Sequence, residues 1–386
     1  MSEKASAGTL AGPSPGAAQE TAVSRPRLPS AKYREKAGLQ RPGLTAFPDV
    51  AKVVAIFGIV TIHVAAPASE GFGILTDRAW ASAVALETAT RWSVPLFVMV
   101  SGMLLLTGKT VEESPLVFYR RRAARIAIPL VAWTLFYRLY LEHTGPQASF
   151  LEHVQAIYSG QPYYHLYFLF VIGGLYLIAP FLARVVNEMS QRQLGLISAG
   201  ALLLGFLWMG VPPWLPGTGA NAFSLFAPYV GFFLAGRWLG RAKLDRELAW
   251  WCAGAFLVLF VSTAFETYLW VHAEGLENGR YFYGYLSPPV ILMSLAIFVV
   301  IRYLVEQRER RRPVRHMKAL HFLGEATFGI YLIHPYFFTL FQRHYAVPSA
   351  LHTLAWWWPA TVIGLVLVSF ACTVAIKQIP GLRRIV

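Results

Sequence analysis

The sequence predicts an all-α fold, a polytopic membrane helix bundle of about ten transmembrane helices with both termini cytoplasmic. Three observations carry that expectation. Only 14% of the 386 residues are charged and 56% are hydrophobic, whereas soluble domains carry roughly 25% charged residues. Ten apolar segments, each near the length a helix needs to cross a bilayer, follow one another along the chain. Basic residues gather at alternate connections between them.

These figures exclude an ordinary soluble enzyme, as does a mean hydropathy of +0.47. The net charge of +14 sits in an apolar chain, so it points to lipid headgroups and topology rather than to nucleic acid. Two cysteines supply neither a disulfide framework nor a zinc site, and no metal is expected. Cys252 and Cys372 fall near cytoplasmic helix ends, where reducing conditions disfavour a disulfide.

Residues 1–46 read as a disordered basic tail rich in Ala, Ser, Pro and Gly, without the apolar region of a signal peptide. Residues 47–386 read as the membrane domain. The first segment, 48–66, is PDVAKVVAIFGIVTIHVAA. Asp49 and Lys52 lie three apart on one face. His63 points within ~20° of Lys52 and ~16 Å further along the axis. The second segment, 88–107, has Glu87 and Arg91 at its start and Pro95 within it. The third, 123–141, is entered through FYRRRAARIAIP, where Arg122 and Arg125 share a face. The fourth, 165–183, opens with YYHLYFLF, which carries Tyr164 and His165. Four segments follow at 194–212, 223–240, 250–270 and 287–305. The ninth, 323–342, contains FGIYLIHPYFF with His334 before Pro335, and the tenth spans 355–376.

With the N-terminus inside, 28 of the 34 Lys and Arg residues fall on the cytoplasmic side. Five fall outside, and Lys52 lies within the first segment. One missed helix would scramble this alternation.

An ionisable group within a membrane costs on the order of 3 kcal/mol, so it has a partner or a task. For Lys52 and His63 the alternatives are a snorkelling lysine with a backbone-bonded histidine, or a functional pair. Arg120 and Arg121 are explained as topology anchors. Arg122 with Arg125 is either the same or a phosphate-binding pair. The tyrosines around His165 form an interfacial belt or a sugar platform. His334 either satisfies a carbonyl freed by Pro335 or lines a cavity. Ser101 beside Gly102 reads first as close helix packing, second as a nucleophile or oxyanion donor. The layout is two-sided, with anion-reading cations inside and acid–base groups (His63, His165, His334, Glu87, Arg91) in the outer half.

At these residues the chain resembles the acyltransferase-3 family of integral membrane acyltransferases, over about 46–376. The first motif is Asp49, Lys52 and His63, with lysine where the family usually has arginine. The second is SVPLFVMVSGMLLL. The third is the pair Arg122 and Arg125, and the fourth is FGIYLIHPYF with Tyr331 and His334. YYHLYFL looks most like the subgroup containing the enterobacterial common antigen O-acetyltransferase.

The resemblance implies O-acylation, most often O-acetylation, of a cell-surface polysaccharide or lipid-linked glycan in a bacterial inner membrane, with acyl-CoA (acetyl-CoA) as donor. His63 is then the general base, since imidazole titrates near neutrality and a sugar hydroxyl far above it. Asp49 supports it by pairing with Lys52, while Lys52, Arg122 and Arg125 hold the donor phosphates. His165, His334, Arg91, Glu87 and Tyr164 face the acceptor. The competing expectation is a transporter for a polysaccharide precursor or small acid, with the intramembrane Lys and His as coupling sites. No repeat of paired broken helices supports it.

Overall fold

The computed structural model describes residues 46–210, 220–311, 317–344 and 356–386. The expected tail, 1–46, lies outside the described residues apart from its last position. Among the described residues the long elements are all α-helices: α1 (Phe47–Ser69), α2 (Asp77–Thr90), α3 (Ser93–Leu105), α4 (Pro115–Thr144), α5 (Phe150–Tyr158) and α6 (Tyr167–Glu188). They continue as α7 (Gln191–Gly210), α8 (Val230–Arg241), α9 (Arg246–Glu274), α10 (Pro288–Arg311), α11 (Met317–His344) and α12 (Trp357–Gln378).

Each expected apolar segment contains a helix. Among the described residues, seven spans are both long and apolar enough to cross a bilayer. The fifth, sixth and ninth segments, at α7, α8 and α11, are helical without being among those seven. The α8 helix has only 12 residues, and α11 opens with the polar Lys318, His321 and Glu325.

The second segment departs from expectation. It is two helices, α2 and α3, broken at Arg91–Trp92. Pro95 has no N–H to offer the Arg91 carbonyl. Nearby side chains also compete for the carbonyls of the last α2 turns: Thr90 Oγ1 donates to Leu86 O (2.7 Å), Trp92 Nε1 to Ala89 O (2.6 Å) and Ser93 Oγ to Thr90 O (2.6 Å). The break sets Arg91 at a corner instead of on a continuous helical face.

The centre of the bundle is α1, which packs against α2, α3, α11 and α12. Its buried face is built from small and branched residues, among them Ala51, Ala55, Ile59 and Val60. The α3–α8 contact brings two backbones close together. A Cβ on Gly102 would run into the Phe233 carbonyl, and one on Gly236 into the Met99 carbonyl. This is the packing reading of the Ser101–Gly102 step: glycine is needed so that two backbones can touch.

The short amphipathic α5 folds back beside α4. Ser149 opens it with a capping box, its amide and hydroxyl both donating to the Glu152 carboxylate (2.6 and 2.8 Å). Those bonds, the amide's first, hold the carboxyl below its ordinary range. Arg138 Nε donates to His153 Nδ1 (2.7 Å), and His153 Nε2 meets Glu142 Oε1 (2.5 Å), tying α5 to α4.

Candidate active site

Two helices and a turn bring three histidines together: α1 carries His63, α11 carries His334, and the turn before α6 carries His165. His63 Nδ1 lies 2.7 Å from His334 Nε2. The two rings are stacked, with centroids 5.0 Å apart and an 11° interplanar angle. His165 packs edge-on to His334 at 6.0 Å. His334 and His165 are fully buried, whereas His63 is half-buried.

The hydrogen bonds fix the tautomers of the neutral pair. His334 Nδ1 lies 3.0 Å from the Ile330 carbonyl. A carbonyl only accepts, so the proton sits on His334 Nδ1 and the lone pair on Nε2. His334 Nε2 therefore accepts from His63 Nδ1–H. This leaves the lone pair of His63 Nε2 available, as a general base requires. His334 thus has both nitrogens engaged, one with the helix backbone and one with His63. Neither nitrogen is left over for the substrate contact expected from the sequence.

Around the histidines stands an aromatic wall. Tyr164 packs edge-on to His63 at 5.1 Å and is half-exposed. Tyr137 and Tyr331 stand edge-on to His165 at 5.0 and 5.2 Å. Tyr137 Oη donates to Leu332 O (2.7 Å), and Tyr331 Oη donates to the His165 carbonyl. Neither ring nitrogen of His165 has a hydrogen-bond partner among the described residues. A buried polar group without a partner is costly, so His165 is the group here with capacity left for a substrate hydroxyl.

The helix break supplies a charged corner. Arg91 Nη2 pairs with Glu87 Oε1 at 2.6 Å, and Ser69 Oγ donates to Glu87 Oε2 at 2.6 Å. Arg91 also lies over the rings of Tyr283 (4.6 Å) and Tyr285 (5.3 Å). Its buried Nε has no hydrogen-bond partner among the described residues. Glu87 is buried with both oxygens engaged, one by Arg91 and one by Ser69.

The other end of α1 is separate. Asp49 Oδ1 pairs with Lys52 Nζ at 2.9 Å, and Asp49 Oδ2 meets His321 Nδ1 at 3.0 Å. His321 Nε2 lies 3.6 Å from Glu325. Asp49 is fourteen residues from His63, about 21 Å of helix. Glu325 leads into a cavity of about 580 Å³ lined by Arg120, Arg121, Arg125, Lys377, Arg383 and Arg384. The last two arrive because Trp133 Nε1 on α4 donates to Ile385 O (2.8 Å). Arg122 is not in this cavity. It faces a second, apolar one on the neighbouring face of α4, over the rings of Phe118 (5.2 Å) and Tyr176 (5.9 Å). The expected arginine pair is therefore divided between two cavities.

Comparison with known proteins decides the chemical class. The Acyl_transf_3 family model, an acyltransferase domain, matches residues 45–376. The chain belongs to the acyltransferase-3 family. No curated protein and no solved structure matches it. It is therefore a multi-pass membrane acyltransferase, in a family whose members generally transfer acyl groups to a sugar or polymer. Within this acyltransferase the sequence reading missed His321, Lys377, Arg383, Arg384, Tyr283 and Tyr285. His321 and Glu325 carried a usable signal, an i,i+4 pair at the start of an apolar segment. The two tyrosines carried none, because only the folded loop brings them to Arg91.

Proposed function

We propose that this acyltransferase O-acetylates a hydroxyl of a cell-surface polysaccharide or lipid-linked glycan, taking the acetyl group from acetyl-CoA, with His63 as general base. The observation that carries the reading is the relay Ile330 O, His334, His63, which leaves His63 Nε2 unprotonated. That nitrogen takes the proton of the acceptor hydroxyl as its oxygen attacks the thioester carbonyl. The carbon–sulfur bond then breaks, and the departing thiolate recovers the proton from His63. Negative charge builds on the carbonyl oxygen meanwhile. Arg91, pinned by Glu87 and with its Nε unpaired among the described residues, is the cation nearest in kind to that task.

His165 and Tyr164 supply a polar edge and an aromatic face for a sugar ring. The likeness of YYHLYFL to the common-antigen subgroup supports a glycan acceptor. The donor's phosphates suit the cavity of Arg125, Lys377, Arg383 and Arg384, with Lys52 close by through Asp49, His321 and Glu325. Six cationic side chains face one acidic side chain there, at the end that positive-inside bias assigns to the cytoplasm. The membrane is then a bacterial inner membrane.

The test uses membranes containing the full chain, acetyl-labelled CoA and a polysaccharide acceptor. Label in the acceptor, lost in His63→Ala, supports the reading. Label transferred equally by His63→Ala removes His63 as base. Uptake of the glycan with no transfer returns the transporter.

A further inference from the structure

Helix α4 separates two cavities of opposite character. Arg120, Arg121, Ala124, Arg125 and Ile128 face the basic one. Tyr119, Arg122, Ala123, Ile126 and Leu130 face the other. The second is a groove of about 710 Å³, closed on its far side by α6, by Ile157 of α5 and by Phe226. Its walls are mostly apolar, with Tyr119, Tyr158 and Tyr176 among them, and no carboxylate of the described residues lines it. One cation does, the guanidinium of Arg122.

Arg122 is held between two rings, and its buried Nε has no hydrogen-bond partner among the described residues. The residue as a whole is half-buried, and Nε is the guanidinium nitrogen withdrawn from solvent; a buried N–H without an acceptor is unfavourable unless an anion completes it. The tyrosine beside it is already committed, because Tyr119 Oη donates to Leu177 O (2.8 Å). From Arg122 to Leu130 the groove follows about 12 Å of helix, close to the ~15 Å depth of one leaflet's hydrocarbon. Arg122 belongs to the basic cluster that marks the cytoplasmic end. The groove therefore presents its cation at the inner headgroup level and its apolar length towards the bilayer centre.

We infer that this groove is a binding site for one inner-leaflet anionic phospholipid, its phosphate on Arg122 and one acyl chain along Ile126, Leu130 and Gly173. Charge selects an anion, since the groove offers a single positive group and no compensating carboxylate. Polarity selects a lipid, since a soluble anion would leave the rest of the groove unfilled. Direction selects the leaflet, since the cation stands at the basic end. The site is independent of the donor reading and reassigns Arg122 away from it.

Gly173 gives a clean way to fill the groove. A Cβ there meets only Ile126 Cγ2 at 3.7 Å, ordinary contact distance, so Gly173→Leu adds bulk without touching backbone. The experiment is native mass spectrometry of the full chain released from detergent, with phosphatidylglycerol or phosphatidylcholine of the same chains added. Wild type retains one phosphatidylglycerol at least about tenfold over phosphatidylcholine, and so does Lys109→Gln, which removes an exposed charge elsewhere. Arg122→Gln loses that preference while still melting cooperatively, and Gly173→Leu loses the bound lipid. Equal retention of phosphatidylglycerol by all four proteins overturns the inference. So does retention of phosphatidylcholine as strong as phosphatidylglycerol by wild type. Displacement of phosphatidylglycerol by acetyl-CoA in wild type also overturns it, since Arg122 would then belong to the donor.

Discussion

The two ends of helix α1 carry ionisable groups on opposite plans. At His63 each polar atom has one assigned partner or none, the rings are stacked, and one carbonyl sets two tautomers in series. At Asp49 the charges are partly exposed and many, with lysine, histidine, glutamate and a cavity of arginines within a few ångströms of one another. The first arrangement depends on geometry, so a single missing atom ruins it. The second acts as a field, in which any one charge is replaceable by its neighbours.

The most severe test of that contrast is His63→Ala. Acyl transfer should fall by about 10²–10⁴, the usual contribution of general acid–base catalysis, with acetyl-CoA binding unchanged by equilibrium dialysis. A smaller loss, about 10²-fold and in kcat rather than KM, is expected for His334→Ala. There the base survives but nothing fixes its tautomer or tilt. His334→Gln should recover part of it, because an amide oxygen can accept from His63 Nδ1–H. If His334→Ala and His334→Gln are equally active, His334 only fills space and the relay is wrong.

At the basic end, Arg125→Gln and Lys377→Gln should each raise the KM for acetyl-CoA by only about two- to fivefold. Exposed ion pairs contribute about 1 kcal/mol or less, and tenfold corresponds to 1.4 kcal/mol. The two changes together should act nearly additively, and added salt should shrink both effects. A loss above about 100-fold from either alone would show that the basic end also depends on geometry. The smallest expected effect on chemistry comes from Gly102→Ala, which strains the α3–α8 contact. Overpacking of this kind costs about 1–3 kcal/mol, so the melting temperature should fall while the KM of the remaining folded protein stays at its wild-type value.

The helical architecture was legible because it rests on period, length and charge alternation, all of which are written locally. The break at Arg91 was half-legible. Pro95 announced lost hydrogen bonds, but the side chains of Thr90, Trp92 and Ser93 that finish the break are individually ordinary. His63, Arg91, His165 and His334 stood out as ionisable groups in apolar segments, and the fold gathers them. Their division of labour was not legible. It depends on which ring nitrogen meets which acceptor, a matter of rotamer and helix rotation. Arg122 and Arg125 show the limit most sharply. Residues three apart share a face to within ~60°, yet that angle is enough for two cavities to divide them.

The pair Asp49–His321 joins α1 to α11 at one end (3.0 Å), and His63–His334 joins the same two helices at the other (2.7 Å). The spacings between the rungs are nearly matched, about 21 Å on α1 and about 20 Å on α11. Two dowels through two planks remove both sliding and turning, which one dowel leaves free. The alignment of the His63 and His334 imidazoles is thereby toleranced by a fastening placed far from them, in the wet, charged end of the molecule.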